Sequence, residues 1–483
     1  MNTVGLILAS FGGYLLLLFV VARLAARSAD NRIFFTAGRR AAWYRVWPAM
    51  ISAAMSGITF VSVPGSVATD GFSYLQMVAG FTVGQLVVAY WLVPLFYRLQ
   101  LTSIYEYFDH RYGATTHRTS GWLFLFSKLM MTALRLYLVA VVLQQLLFAR
   151  LGVPFVLTAL GMVAVVWGYT HRGGVGALIP VDWLKTVFMV GAVVATLWAT
   201  LSVLGWSVDE LWQRMGESPM ARIWHFDDPA SDRYFWKMFV AGVLLLVAMT
   251  GLDQELMQRN LACRSVRDAQ RNILWTAGSQ IVVIALFLVL GWVLYGYAAQ
   301  QEYTLPLRGD ELFPMVAFEG GLPRWVGVLF VLGFAAGSFS SGGSALTAMT
   351  TSVLFDVQRD RTDDDQKLRR RRQWVHAGLA LGVWVLLLIF DGWADESVIN
   401  LLYKVAGYTY GPILGLFLFG QWSKRTVCDG WVWLPALLAP MLAALLQVVV
   451  RAVWGYAIGF EILLYNALLT MGGLWLISRR AIS

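Results

Sequence analysis

The sequence predicts an all-α polytopic membrane protein of about 13 transmembrane helices. Three observations carry that expectation. Only 13% of the 483 residues are charged while 58% are hydrophobic, about half the charge share of a soluble domain. Mean hydropathy is +0.63. Apolar runs of the ~20 residues needed to cross a bilayer as a helix recur along the whole chain.

The first span, 4–22, is followed rather than preceded by arginines. It therefore reads as a retained span with its N-terminus outside, not as a signal peptide. The second, 46–68, is interrupted by Pro48, Gly57, Pro64 and Gly65. Spans three to six follow at 74–97, 120–149, 153–170 and 178–203. The loop 204–235 is mixed in charge and rich in Trp and Tyr, and reads as an external interfacial lid. In the seventh span, 236–257, the stretch MTGLDQELMQRN breaks an apolar helix at Thr-Gly-Leu-Asp. The eighth is 273–297. The ninth, 325–355, contains AAGSFSSGGSALTAMTTS. After the basic run 359–373 come 375–392, 397–421, 431–450 and 460–478.

Basic residues orient this frame. The segments it places in the cytoplasm hold 25 of the 37 Lys and Arg, and the external segments hold eight. That bias sets the N-terminus outside and the C-terminus in the cytoplasm of a cell (inner) membrane. The run 359–373 then reads as a topology-fixing loop touching anionic lipid. The net charge of +9 implies no nucleic-acid partner, because the basic residues flank spans.

The two interrupted spans lie five apart and so run in opposite directions. Such a pair points to a secondary transporter built from inverted repeats. The repeats would be 43–203 and 235–421, forming a core 43–421. An extra span and loop (1–42) precede it and two extra spans (422–483) follow.

In the ninth span, Gly337, Ser340, Ser341, Ser344, Thr347 and Thr351 share one helix face. A hydroxyl stripe within an apolar run suggests a cation site or a tight helix interface. Charges inside spans are costly and face a cavity, a partner or the interface. Arg135, Asp182, Asp253 and Lys404 are therefore candidates for a solute or ion role. Lys128 and Glu255, near cytoplasmic ends, read as snorkelling. Asp182 has a plainer alternative, pairing with Lys185 one turn on.

Cys263 and Cys428 form no disulfide framework or metal motif. The histidines show no HExxH spacing, and no Walker loop or GxSxG elbow is present. No span carries a nucleophile–base pair, so an enzyme is not expected. Only SRRAIS follows the last span, which leaves no room for a fused signalling domain and argues against a sensor.

Five motifs in order resemble the sodium:solute symporter family. FFTAGRRAAWYRVWPAMISAAMSGITFVSVPG is similar to its "F-x-x-G-R" opening and first core helix. RGGVGALIPVD resembles its "GG-x-x-A-x-x-x-x-D", and GLDQELMQRNLACRS its "DQ-x-x-x-QR-x-L". SFSSGGSALTAMTTSVLFDV is similar to the Ser-rich eighth core helix, and YTYGPILGLFLFG to the "GP-x-x-G-x-F-x-x-G" tenth.

The resemblance implies a five-plus-five inverted-repeat (LeuT-like) core with broken first and sixth core helices, and sodium as the coupling ion. Its shared sodium site falls on the carbonyls of Ser52, Met55 and Gly337 and the hydroxyls of Ser340 and Ser341. Sodium is a hard cation, and unwound backbone supplies oxygen ligands without fixed charge. A second sodium, present in some members, would use Asp182, Ser340 and Ser344. Gly343 removes one hydroxyl from that site, and Lys185, where many members have glutamine, could compete with the ion.

For the solute, Thr59, Val78 and Lys404 replace the polar residues of the family's sugar transporters. Ser56, Thr59 and Arg135 fall where sialic-acid symporters hold a carboxylate. Arg135 can grip a carboxylate bidentately, unless it pairs internally, for instance with Asp253. The implied function is sodium-coupled import of a small carboxylate-bearing solute, sialic acid being one candidate, by alternating access. A neutral sugar or an amino acid, with Asp253 meeting an ammonium, is the alternative. The partners are the solute and the lipid bilayer, and nothing in the sequence demands more than one copy.

Overall fold

The computed structural model describes residues 3–25, 31–360, 362, 364–392, 398–456 and 458–479. It is almost entirely helical. The spans in chain order are α1 (Thr3–Ala25), the bent pair α2 (Trp43–Ala54) and α3 (Gly57–Gly65), α4 (Tyr74–Arg98), α5 (Ala114–Leu143), α6 (Phe155–Thr170) and α7 (Gly174–Leu204). There follow the bent pair α8 (Phe235–Gly251) and α9 (Gln254–Leu261), α10 (Val266–Gln300), α11 (Arg324–Val357), α12 (Asp365–Asp391), α13 (Val398–Trp422), α14 (Trp433–Trp454) and α15 (Ile462–Leu476). Every apolar segment expected from sequence coincides with a helix or a bent pair. Among the described residues, eight helices qualify as membrane-crossing by length and hydropathy alone, or up to 10 if each bent pair is one span.

Both expected interruptions are real, and each has a local cause. α2 and α3 meet at 58°. Met55 and Ser56 between them are extended (φ −114°, ψ 142° and φ −127°, ψ 175°). Ser56 starts α3, its N–H donating to Thr59 Oγ1 at 3.2 Å. α8 and α9 meet at 65°, where Asp253 caps α9 by accepting from Glu255 N at 2.7 Å and Leu256 N at 3.3 Å. An N-cap carboxylate satisfies helix-start amides that lipid could not.

α11 runs through the middle and packs on α7, α5, α1, α6 and α3. Residues Phe334 to Ser352 of it are all buried. Its hydroxyls stay satisfied there by bonding back one turn: Ser338 to Phe334 O, Thr347 to Gly343 O, Thr350 to Leu346 O and Thr351 to Thr347 O. Small residues let the backbones approach. A Cβ on Gly337 would stand 2.9 Å from Gly57 N, so α11 passes directly over the α2–α3 break.

The flanking elements also have clear anchors. α13 and α15 are joined by Asn466, which donates to the carbonyls of Gly407 and Tyr408. The loop 204–235 folds over the start of α4, where Gln76 accepts from His225 N and donates to Arg233 O. Its Trp212, Trp224 and Phe226 are exposed, as an interfacial element requires. The basic run is less solvated than expected. Arg372 is fully buried, bonded to Asn31 Oδ1 at 2.9 Å and stacked over Phe34. The cysteines are free, Cys263 buried and Cys428 exposed.

Candidate functional site

Helix breaks leave carbonyls with few or no intrahelical partners, and the α2–α3 break turns two toward α11: Met55 O and Ser52 O, the latter also accepting from Met55 N at 3.2 Å. The carbonyls of Ser52 and Met55 and the hydroxyl of Ser341, three of the five expected sodium ligands, converge. A cation stands among them: the ammonium of Lys185 from α7. Its Nζ donates to Ser52 O at 2.5 Å, Met55 O at 2.5 Å and Ser341 Oγ at 3.0 Å. Lys185 is fully buried. An ammonium has three donors, and all three are used. Ser341 in turn donates to Gly337 O at 2.9 Å.

Ser340 is not part of this cluster. Its hydroxyl donates to Asp182 Oδ1. In this arrangement three of the five expected ligands bond the Lys185 ammonium, Gly337 O accepts from Ser341, and Ser340 bonds Asp182. Two unit charges about 4 Å apart repel by about 4 kcal/mol at an effective dielectric of about 20.

Asp182, Ser340 and Ser344 do come together, around the guanidinium of Arg259. Its Nε and Nη2 reach Asp182 Oδ2 at 3.0 and 2.9 Å, and Nη2 also donates to Ser344 Oγ. Asp182 thus pairs with Arg259 on α9, not with Lys185 on its own helix. At Gly343 the missing hydroxyl has a steric reason. A Cβ there would lie 1.8 Å from the hydroxyl oxygen of Tyr169, which donates to Phe339 O at 2.9 Å.

Asp253 is also occupied. Lys128 Nζ lies 2.7 Å from its Oδ2, and Tyr410 donates its hydroxyl to the same oxygen. Lys128 further reaches Glu255 Oε2 at 2.7 Å. The expectation that Lys128 and Glu255 snorkel is corrected, since both are buried and paired inside the bundle. The Arg135–Asp253 pairing does not form. The ammonium that Asp253 meets is the chain's own.

Lys128 and Tyr410, and Glu255 and Arg259 of α9, surround the candidate residues in ways that sequence reasoning missed, and only the α9 pair left a signal. The signal was present in GLDQELMQRN. A short helix whose Gln254, Glu255, Gln258, Arg259 and Asn260 are all buried can exist in a membrane core only as a polar hub.

Ser56 is buried and Thr59 lies on the same helix start. Arg135, half-buried on α5, makes no ion pair or hydrogen bond with another described residue, and its charge acts on Glu255 and Lys185. The Lys404 side chain lies outside the described residues. Counting the central cluster, Lys128, Arg135, Lys185 and Arg259 face Asp182, Asp253 and Glu255, an excess of one positive charge.

The model of the sodium:solute symporter family matches residues 34–435, and the chain belongs to that family. It is 25% identical over 411 residues to the sodium/iodide cotransporter of Homo sapiens, covering 83% of this chain and 62% of that protein. It is 25% identical to the sodium-dependent multivitamin transporter of Oryctolagus cuniculus (80% and 60%), and 25% to the sodium-coupled monocarboxylate transporter 2 of Danio rerio (81% and 63%). The chain therefore spans less than two thirds of these relatives' length. These relatives are transporters, not enzymes.

Among solved structures, a Na+-coupled sialic acid symporter in a substrate-bound outward-open state superposes with a TM-score of 0.81 at 16% identity, covering 98% of this chain and 99% of that one. A nucleobase-cation-symport-1 family transporter in a closed conformation gives 0.54 at 12% identity over 92% and 94%. The fold is thus a LeuT-like transporter fold in a multi-pass membrane protein.

Proposed function

We propose that the chain is a secondary active symporter that imports a small carboxylate-bearing solute by alternating access, with sodium as the coupling ion. Sodium is supported by the family and by relatives named as sodium-coupled. The inverted repeats 43–203 and 235–421 would form the moving core, with the N-terminus outside and the C-terminus in the cytoplasm.

The solute class rests on Arg135. It is the one cation of the central cluster without a partner among the described residues, on α5, which packs against the α3 that carries Thr59. An excess positive charge at a half-buried position favours an anion, and a guanidinium can hold a carboxylate by two parallel hydrogen bonds. Two of the relatives are named for iodide and for monocarboxylates, both anions. Sialic acid remains one member of the class.

The test is uptake of a panel of carboxylates into proteoliposomes under an inward sodium gradient, with neutral sugars and zwitterionic amino acids as competitors. Arg135→Ala is expected to lose carboxylate uptake by a factor of ten or more. Arg135→Lys, which keeps charge but not the fork, should retain a part. Undiminished uptake in Arg135→Ala, or competition by neutral sugars alone, rejects the carboxylate reading.

A further inference from the structure

The oxygens that the proposed sodium site needs are already spoken for. Ser52 O, Met55 O and Ser341 Oγ each accept a hydrogen bond from Lys185, at 2.5, 2.5 and 3.0 Å. They come from the α2–α3 break and from α11, and the ammonium arrives from α7, so one side chain ties together three elements of the core. The donor set suits it. An ammonium and a small hard cation want the same thing, several neutral oxygens at close range. Among the described residues no carboxylate bonds the Lys185 ammonium directly, because Asp182, one turn away, is taken by Arg259 and Ser340. The charged groups acting on Lys185 are that Asp182, Arg259 and Glu255 of α9, and Arg135 of α5. The groups that bond it are all neutral.

We infer that the Lys185 ammonium is a resident, tethered cation of this site, and that sodium from solution and the ammonium exclude one another there. The inference rests on the sodium-site reading above and deepens it. Lys185 then sets the chain's cation preference. Sodium can reach Ser52 O, Met55 O and Ser341 Oγ only when the lysine side chain has left them. The tether keeps the local concentration of the competing cation high and constant, so the apparent sodium affinity of the native chain is low. Replacing the lysine by a short neutral residue frees the three oxygens, and Ser52 also carries a buried hydroxyl without a hydrogen-bond partner among the described residues.

The experiment is thermal unfolding of the purified full-length chain, titrated with sodium chloride against choline chloride at constant ionic strength. Native protein is compared with Lys185→Ala, Lys185→Gln and Lys185→Arg. The Ala and Gln variants are expected to be half-saturated by sodium at a concentration at least tenfold below the native one. The Arg variant, which keeps a tethered cation, should respond no better than native. Equal half-saturation in native, Ala and Gln proteins overturns the inference. Native stabilisation already half-complete below about 1 mM sodium overturns it without any variant, so a variant that fails to fold leaves the question decidable. Solute uptake by the same proteins separates this inference from the proposed function. If native uptake ignores sodium while the neutral variants gain a sodium response, the ammonium holds the site and sodium coupling of the native chain falls. If sodium drives native uptake and the variants share its half-saturation, coupling stands and the resident-cation inference falls.

Discussion

Replacing Asp182 with asparagine removes the charge that holds Arg259 in the bundle while keeping the side chain's size. Asp182 accepts from Arg259 Nε and Nη2 at 3.0 and 2.9 Å and from Ser340. Both members of the pair are buried. Without the carboxylate, the remaining opposite charge is Glu255, 3.8 Å from Nη1 and shared with Lys128. Removing one partner of a buried ion pair costs about 3–5 kcal/mol. That shifts the folded-to-unfolded ratio by roughly two to four orders of magnitude. Arg259→Gln should cost a similar amount, since it strands Asp182. The double variant should recover part of the loss, because no charge is then left unpaired, with a coupling of about 1 kcal/mol or more. The assay is reversible unfolding in mixed detergent micelles, run in sodium and in choline. Two results would refute the reasoning: single variants within about 0.5 kcal/mol of native, or a double variant that simply adds the two losses. A destabilisation that vanished in choline would instead make Asp182 an ion ligand.

Gly343→Ser should destabilise the chain, since its Cβ would stand 1.8 Å from the Tyr169 hydroxyl. Tyr169→Phe in the same background should restore part of the lost stability, and an unaltered unfolding midpoint in Gly343→Ser would reject that account. In the loop between α11 and α12, burial alone would raise the Asp360 carboxyl. Hydrogen bonds from the Thr362 hydroxyl, Arg371 and the Thr362 amide outweigh it and hold the group below its ordinary value. A depressed carboxylate stabilises the fold above its unfolded pKa of about 4 and loses that contribution as pH falls through its lower folded value. Amide exchange at Thr362, corrected for the intrinsic rate, should therefore lose protection in acid, and Asp360→Asn should show the loss already at pH 7. Equal protection in both proteins at pH 7 would remove Asp360 from that role.

Much of the frame was legible in the sequence. Hydropathy located the apolar helices because a bilayer forces the chain to satisfy its own backbone polar groups. Pro48, Gly57 and the Thr-Gly-Leu-Asp stretch marked both breaks, since Pro and Gly act on the backbone locally. The hydroxyl face of α11 was also visible, because the helical repeat alone decides which residues share a side.

Partner choice was not legible. Lys185 and Asp182 are neighbours on one helix face, yet Lys185 turns to the carbonyls of Ser52 and Met55 while Asp182 takes Arg259, 77 residues away. Asp253 likewise takes Lys128, 125 residues away. Buried charges settle where desolvation is best repaid, and that depends on which groups the packing of α2, α7, α9 and α11 brings within hydrogen-bond reach. The sequence by itself determined where the first core helix is interrupted and which face of α11 carries the hydroxyls. Only the tertiary structure decided that the Lys185 ammonium meets both, because which oxygens a side chain on a four-carbon tether reaches depends on how α2, α7 and α11 pack.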